Sequence, residues 1–154
     1  MGKAANSSIS LKQIHVTDNF WNKYVHLVKD VIIPYQWDIL NDKLEDVETS
    51  HCIENFKIAA GEKEGEFQGA VFQDTDVAKW LEAVGFVLNY ERDEKLEELA
   101  DETIELIGRA QQPDGYLNTY FTIKEPDGRW SNLMEGHELY TAGHMIEAAV
   151  AYYE

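Results

Sequence analysis

The residues best suited to chemistry lie in two segments in the second half of the chain. Residues 111–121 read QQPDGYLNTYF, a polar loop with one glycine and three aromatic rings. The segment HELYTAGHMIEAAVAYYE follows it and predicts a helix with an ionisable imidazole, His137, at its start. An aromatic loop beside a rigid helix end is a common way to hold a polar small molecule. The competing interpretation is that Tyr116, Tyr120 and Phe121 pack against a core edge while His137 caps the helix.

The start of this helix does not form a metal site of the H-E-x-x-H type. His144 follows His137 by seven residues, about 10.5 Å along a helix axis, whereas that motif holds its metal with histidines one turn apart. We interpret His144 as a hydrogen-bonded core histidine. The same spacing predicts a polar face that lines a cavity and an apolar face that packs outward. The polar face carries His137, Tyr140, Thr141 and His144, and the apolar face carries Leu139, Ile146 and Val150.

A second candidate segment, Phe72-Gln73-Asp74-Thr75-Asp76, precedes another predicted helix. Asp74 or Thr75 is expected to cap that helix. An aspartate at a helix mouth beside Phe72 also suits a sugar, which needs hydrogen-bond partners for its hydroxyls and a flat apolar face. Trp80 lies on the apolar stripe of the helix and is predicted to belong to the core. Paired carboxylates are typical of glycosidases, but no pair can be chosen among 29 acidic residues.

Composition excludes several classes of partner and site. The formal charge of −16 repels phosphate backbones and anionic lipid, so we expect neither nucleic-acid nor membrane binding. Cys52 is the only cysteine, which excludes an intrachain disulfide and a zinc site built from several cysteines of this segment. The N-terminal residues lack an apolar signal core, and no apolar run approaches the roughly 18 residues of a membrane span. We expect a soluble, cytoplasmic protein.

The spacing of apolar residues predicts an all-α chain. Thr17 or Asp18 is expected to cap the first helix, and Pro34 to end or kink it. The segment 114–131, which contains two Pro-Asp-Gly turns, is expected to be a short extended loop or a small hairpin, with Tyr116–Lys124 extended. Helices are expected near 18–33, 35–44, 76–91, 94–109 and 137–153, the last two in contact with the helix at 76–91.

Helical hairpins laid side by side favour part of an α/α toroid, a barrel of six hairpins. Residues 1–16 are expected to be a lead-in, and residues 17–154 to belong to one domain, which the resemblance of its segments to a known family implies is the N-terminal portion of a larger catalytic domain. The stripe of Ile146, Val150 and Tyr153 runs to the last residues without a helix stop signal, which favours a chain truncated at 154.

Five segments in order resemble the N-terminal part of the β-L-arabinofuranosidase family of glycoside hydrolases, family 127 and its relatives. Together they cover most of the chain after residue 30, so the match is specific. The segments are VIIPYQWDILND from Val31, ENFKIAAGE from Glu54, FQGAVFQDTDVAKWLEAV from Phe67, AQQPDGYLNTYF from Ala110 and GHELYTAGHMIEAAVAY from Gly136.

The resemblance implies an α/α toroid and a retaining enzyme that acts on an arabinofuranoside-type carbohydrate. It implies a cysteine nucleophile and a zinc ion held by cysteines and a glutamate, all in the later part of the domain. Cys52 lies outside the family's cysteine motif, so the nucleophile is not assigned to it, and no catalytic residue or metal ligand is expected in this segment. The resemblance implies that His137 contacts the sugar. A neutral imidazole both donates to and accepts from hydroxyls, and we add Phe72 and Asp74 as further predicted substrate contacts.

Two other functions stay open at this point. The 154 residues could be a self-standing, non-catalytic helical module that binds a carbohydrate or a protein. They could also belong to another α/α-toroid enzyme, such as a polysaccharide lyase or an epimerase, although the two segments around Tyr116 and His137 argue against it by resemblance.

Overall fold

The computed structural model describes residues 9–153 of the chain, and this part is helical without a β-strand, as expected. A π-helical turn, Val28–Ile32, joins the first two helices, and 3-10 turns lie at Leu11–Gln13 and Pro126–Gly128. The first eight residues of the expected lead-in lie outside the described part. The α-helices of residues 9–153 are α1 (Asn19–Leu27), α2 (Ile33–Leu40), α3 (Cys52–Ala59), α4 (Asp74–Tyr90), α5 (Glu94–Ala110), α6 (Thr119–Ile123) and α7 (Glu138–Tyr153).

Helices α1 and α2 form one rod that the π-turn interrupts just before Pro34. Asp18 caps α1 as predicted, because its carboxylate accepts hydrogen bonds from the backbone of Phe20 and Trp21 at 2.8 and 2.9 Å. Proline lacks the N–H for the preceding turn and its ring crowds the carbonyl four residues earlier, which accounts for the irregular turn there. The rod ends at Leu40, earlier than the predicted residue 44.

Helix α4 is the centre of the core, to which α2, α3, α5 and α7 also contribute buried side chains. Trp80 is buried as predicted; its ring stacks 4.5 Å from that of Trp37, and its indole N–H donates to the Ile33 carbonyl at 3.1 Å. At the far end of α4, the Tyr90 hydroxyl donates to the Asn22 side chain at 3.1 Å. The α1–α2 rod therefore runs antiparallel to α4.

Helices α4 and α7 run parallel and pack closely. Gly85 permits the contact, since a Cβ atom at this position would lie 2.8 Å from the backbone of Ala151. The Asn89 amide donates to the Ala151 carbonyl at 3.2 Å, which ties the two C-terminal ends together. The predicted contact between these helices is confirmed, and it brings their N-terminal ends side by side.

Helix α5 follows α4 after a short turn and packs against it. Asp93 caps it by accepting from the backbone of Lys95 and Leu96, both at 3.2 Å. The Tyr152 hydroxyl near the end of α7 donates to the Asp101 carboxylate in the first half of α5 at 2.6 Å. The predicted contact between α5 and α4 is confirmed, and the bond from Tyr152 places the end of α7 beside the first half of α5.

The extended structure predicted for Tyr116–Lys124 is wrong, because the second half of this segment forms helix α6. Asn118 starts the helix by accepting from the Phe121 backbone at 3.0 Å, and its neighbour Thr119 is anchored to α4. Each Pro-Asp-Gly motif does form a turn, as predicted. No helix in residues 9–153 is both long and apolar enough to cross a membrane.

Helix α3 was not predicted. The side chain of Asn55 is buried within it and holds the following loop through two hydrogen bonds with the backbone of Gln68, at 2.8 and 3.1 Å. A polar residue on the inner face obscures the apolar period, so this helix depends on tertiary contacts that periodicity does not reveal.

Candidate functional site

A row of rings lies where the N-terminal ends of α4 and α7 meet. The rings of Phe72 and His137 are 5.2 Å apart and nearly perpendicular, at 75°. Tyr140 continues the row one turn further along α7, 6.0 Å from His137, and His144 follows at 4.6 Å from Tyr140. Two of the three predicted substrate contacts, Phe72 and His137, are therefore in direct contact. We call these four side chains the ring row.

The backbone of His137 is in the left-handed region, with φ of 51°, immediately before α7 begins. Its carbonyl accepts the first intrahelical hydrogen bond, from Thr141 at 2.9 Å. The preceding Gly136 lies so close to its surroundings that a Cβ atom would sit 2.8 Å from the Asn132 carbonyl oxygen and 3.0 Å from the Phe121 ring. Tight packing before the helix and an uncommon backbone conformation thus fix the position of the imidazole.

Glu138 is a buried carboxylate that the sequence analysis did not select. It is 3% exposed, and it accepts hydrogen bonds from the Tyr116 hydroxyl and from the Trp130 backbone, the latter at 2.7 Å. Burial and the hydrogen bond to Glu138 raise the pKa of Tyr116, so its hydroxyl stays protonated and remains a donor. The guanidinium of Arg129 lies 4.1 Å above the Tyr116 ring. The aromatic loop is therefore fastened to the first residue of α7.

Asp74 lies at the start of α4, and its side chain is bonded to Thr119 of α6 and not to the ring row. It is 2% exposed, and its two oxygens accept from the Thr119 backbone at 2.7 Å and from the Thr119 hydroxyl at 2.5 Å. Burial raises the pKa of Asp74 to about 6, although the hydrogen bonds from Thr119 oppose the shift. The predicted capping by Asp74 or Thr75 is wrong: Gln73 occupies the cap position without a side-chain cap bond. Contact between Asp74 and a substrate stays a prediction and requires Thr119 to move.

A groove of about 860 Å³ lies beside the ring row, between α2 and the first turns of α4. Lys79 connects the groove with the ring row, because it lines the groove and its ammonium lies 5.5 Å from the centre of the Tyr140 ring. The ammonium also donates to the Thr75 hydroxyl at 3.1 Å. The polar side chains lining the groove are Gln36, Glu48, Thr49, Ser50, Gln73, Asp76 and Lys79.

The residues of this chain do not fit the cysteine-rich zinc site that the resemblance implies elsewhere. Cys52 is fully buried, and its thiol donates to the Gln73 carbonyl at 3.3 Å. Burial raises the pKa of Cys52, so the neutral thiol is favoured over the thiolate that zinc needs. One cluster in the described residues could hold a cation: Glu82, His144 and Glu147 offer ligand atoms within 4.8 Å of one another. This cluster contains no sulfur and lies apart from Cys52.

His144 is partly buried, which agrees in part with its interpretation as a core histidine. Its Nδ1 atom lies 3.1 Å from the Glu147 carboxylate, and its ring contacts Tyr140. His144 therefore continues the polar face of α7, as predicted, about two turns after His137.

Comparison with known proteins identifies the family. The profile of the β-L-arabinofuranosidase GH127 catalytic domain matches residues 13–154, nearly the whole chain. The chain belongs to this GH127 family. A curated relative, the non-reducing end β-L-arabinofuranosidase of Bifidobacterium longum subsp. longum, is 41% identical over 157 aligned residues. That match covers 92% of this chain and 24% of the relative, so the chain spans about a quarter of the relative's length.

Solved structures of GH127 enzymes have the same arrangement of helices. A GH127 β-L-arabinofuranosidase from Geobacillus stearothermophilus T6 is 65% identical, with a TM-score of 0.89 over 90% of this chain and 22% of that one. A second GH127 β-arabinofuranosidase is 33% identical, with a TM-score of 0.82 over 94% of this chain and 23% of that one. GH127 enzymes have the α/α toroid fold, and this chain corresponds to its N-terminal part.

Proposed function

We propose that this chain is the N-terminal part of a retaining β-L-arabinofuranosidase-like glycoside hydrolase and forms one wall of its sugar pocket. The observation that carries the proposal is the contact between Phe72 and His137 at the paired helix ends, beside a polar groove. Membership of the GH127 family supports the reaction class. The nucleophile and the zinc ligands belong, in this proposal, to the remainder of the catalytic domain.

The wall offers the two kinds of contact that a sugar requires. The half-exposed ring of Phe72 presents an apolar surface to carbon–hydrogen faces. The imidazole of His137 donates to or accepts from a hydroxyl, since a neutral imidazole has one nitrogen of each kind. Lys79 and Gln73 line the adjoining groove and supply further hydrogen-bonding groups. In this proposal His137 binds the substrate and acts neither as the acid nor as the nucleophile.

Asp74 is proposed to support the pocket from behind. Its carboxylate joins the start of α4 to Thr119 of α6, and so holds Phe72 two residues earlier in the chain. A direct contact of Asp74 with the sugar remains part of the original prediction, conditional on release of Thr119.

Two uncovered apolar surfaces support a larger domain rather than a self-standing module. Groups of large apolar side chains that stay exposed on one helix are typical of an interface. The outward stripe of α7 consists of Leu139, Ile146, Val150 and Tyr153, which are 54–92% exposed. The surface of the α1–α2 rod consists of Phe20, Trp21, Tyr24, Val31 and Tyr35, which are 48–60% exposed. We propose that the remaining three quarters of a GH127-length chain cover them.

The cytoplasmic location and the absence of nucleic-acid and membrane partners stay predictions from composition. The proposed partners are an arabinofuranoside-type substrate and the remainder of the catalytic domain.

The proposal is tested with the product of the full-length gene. We expect it to release arabinose from a β-L-arabinofuranoside, and proton NMR at early times should show the β-anomer, as retention requires. Phe72→Ala, which removes an exposed ring without opening the core, should lower kcat/KM while the melting temperature stays near that of the unmodified protein. A folded protein that releases no arabinose, or releases the inverted anomer first, would contradict the proposal.

A further inference from the structure

The loop that precedes α7 contains two non-glycine residues with left-handed backbones, Trp130 and His137, at φ of 60° and 51°. This conformation is unfavourable for residues that carry a Cβ atom, and it persists only where surrounding contacts over-determine it. The contact that joins both residues is the carboxylate of Glu138. One oxygen accepts from the Trp130 backbone at 2.7 Å, and the residue itself directly follows His137.

The second oxygen of Glu138 extends the connection to the aromatic loop. It accepts from the Tyr116 hydroxyl, whose ring stands edge-on to that of Trp130 at 5.4 Å and lies beneath the guanidinium of Arg129 at 4.1 Å. Glu138 is buried, so water does not compete for either hydrogen bond. The carboxylate therefore clamps three separate parts of the chain at the first turn of α7.

The carboxylate of Glu138 is bonded to Tyr116 and Trp130, whereas the imidazole of the preceding residue, His137, contacts Phe72. Glu138 is 3% exposed, and each of its carboxylate oxygens already accepts a hydrogen bond from within the chain. It is placed to fix the backbone from which His137 projects, and hence the 5.2 Å edge-to-face contact with Phe72. The geometry that recognises a hydroxyl then depends on Glu138, since hydrogen bonds weaken steeply with misalignment.

We propose that Glu138, through its hydrogen bonds with Tyr116 and Trp130, is a positioning residue that holds His137 in its sugar-binding orientation. The inference rests on the proposed function, and it adds a role for a carboxylate that is neither catalytic nor in contact with substrate.

The test compares three substitutions in the full-length gene product. Glu138→Ala removes both hydrogen bonds, and we expect kcat/KM for a β-L-arabinofuranoside to fall by about tenfold or more, since small misplacements of a binding group are costly. Glu138→Gln is the conservative variant: its amide oxygen accepts from Trp130 and its amide group donates to the Tyr116 oxygen. It should retain most of the activity. Tyr116→Phe removes one of the two bonds and should give an intermediate loss.

A matched control is available nearby. Tyr120 donates to the exposed carboxylate of Glu125 at 2.7 Å, a tyrosine–glutamate pair of the same chemistry that does not contact His137. Glu125→Ala should leave kcat/KM unchanged.

A double-substitution cycle separates positioning from general damage. If Glu138 acts through His137, adding Glu138→Ala to a His137→Ala protein should cause little further loss of kcat/KM, because the group being positioned is already absent. Losses that multiply would overturn the proposal. If Glu138→Ala does not fold, the same cycle is run with Tyr116→Phe, which keeps the buried carboxylate and its bond to Trp130.

A crystal structure of the Glu138→Ala protein, or of Tyr116→Phe in its place, gives a readout that does not depend on activity. We expect His137 to leave its left-handed conformation or its contact with Phe72. An unchanged His137 would overturn the proposal. If His137 is displaced in this structure but the His137→Ala protein keeps full activity, the positioning role of Glu138 stands and the sugar contact of His137 is refuted. Failure of the further inference and failure of the proposed function therefore give different results.

Discussion

Replacing Asp74 with asparagine should change how the stability of this chain depends on pH. The carboxyl group is buried, and its pKa is raised from an ordinary value of 3.8 to about 6 in the folded protein. Below about pH 4 it is protonated in both the folded and the unfolded states, and above about pH 6 it is ionised in both. Between these limits the folded state retains a proton that the unfolded state has released, so stability falls as the pH rises.

The size of the effect follows from the shift. A change of roughly two pKa units corresponds to about 3 kcal/mol, an order-of-magnitude figure for a buried group. Asparagine does not titrate, and it retains both contacts with Thr119: its amide oxygen accepts from the backbone N–H, and its amide group donates to the hydroxyl oxygen. The free energy of unfolding of Asp74→Asn minus that of the unmodified chain should therefore increase by up to about 3 kcal/mol from pH 4 to pH 7.

Urea denaturation of both proteins at half-unit pH intervals measures this difference directly, and effects of all other carboxyl groups cancel. Asp127→Asn removes the same charge from an exposed turn and controls for the change in net charge. If the free energy of unfolding of Asp74→Asn minus that of the unmodified chain stays constant between pH 4 and pH 7, or falls as the pH rises, burial does not govern this carboxylate and the reasoning is refuted.

Further predictions concern packing, activity and metal binding. Gly85→Ala should destabilise the chain by about 1–3 kcal/mol in urea denaturation, because the added methyl group meets the backbone of Ala151. Gly108→Ala is the control and should be neutral or stabilising, because a Cβ atom there meets nothing within 4 Å. Equal effects at the two sites would contradict the packing of α4 against α7. The isolated 154-residue chain should release no arabinose from a β-L-arabinofuranoside above a no-protein blank, and measurable release would show that the chemistry has been misplaced. Calorimetric titration of the isolated chain with zinc should reveal no tight binding, since Cys52 is its only thiol and is buried; a tight complex that survives Cys52→Ser would point to the cluster of Glu82, His144 and Glu147 instead.

The long helices could be predicted from sequence because the apolar residues of each follow a helical period. Helices α4 and α5 bury an uninterrupted stripe, and Asp18 and Asp93 cap α1 and α5 by local hydrogen bonds. Helix α6 could not be found in this way. Its five residues depend on the bond between Thr119 and Asp74, which are 45 positions apart.

Prediction of the site had the same limit. The residue type and position of Phe72, and the family resemblance at His137, suggested sugar contacts, and the structure places the two side chains together. Asp74 had the right type and position along the chain, but the direction of its side chain depends on Thr119. Glu138 follows His137 directly in the sequence, but only the structure shows that Tyr116 and Trp130 both donate hydrogen bonds to its carboxylate.

The central claim, that His137 and not His144 contacts the sugar, is tested most directly by comparing the two alanine variants in the full-length gene product. His137→Ala should keep the melting temperature and lower kcat/KM for a β-L-arabinofuranoside about tenfold or more, since a hydrogen bond lost in a water-poor pocket costs on the order of 1–3 kcal/mol. His144→Ala should lose thermal stability before it loses activity, because its ring packs on Tyr140 and faces Glu147. Unchanged catalytic efficiency in His137→Ala, together with abolished activity in a His144→Ala protein of normal stability, would contradict the account.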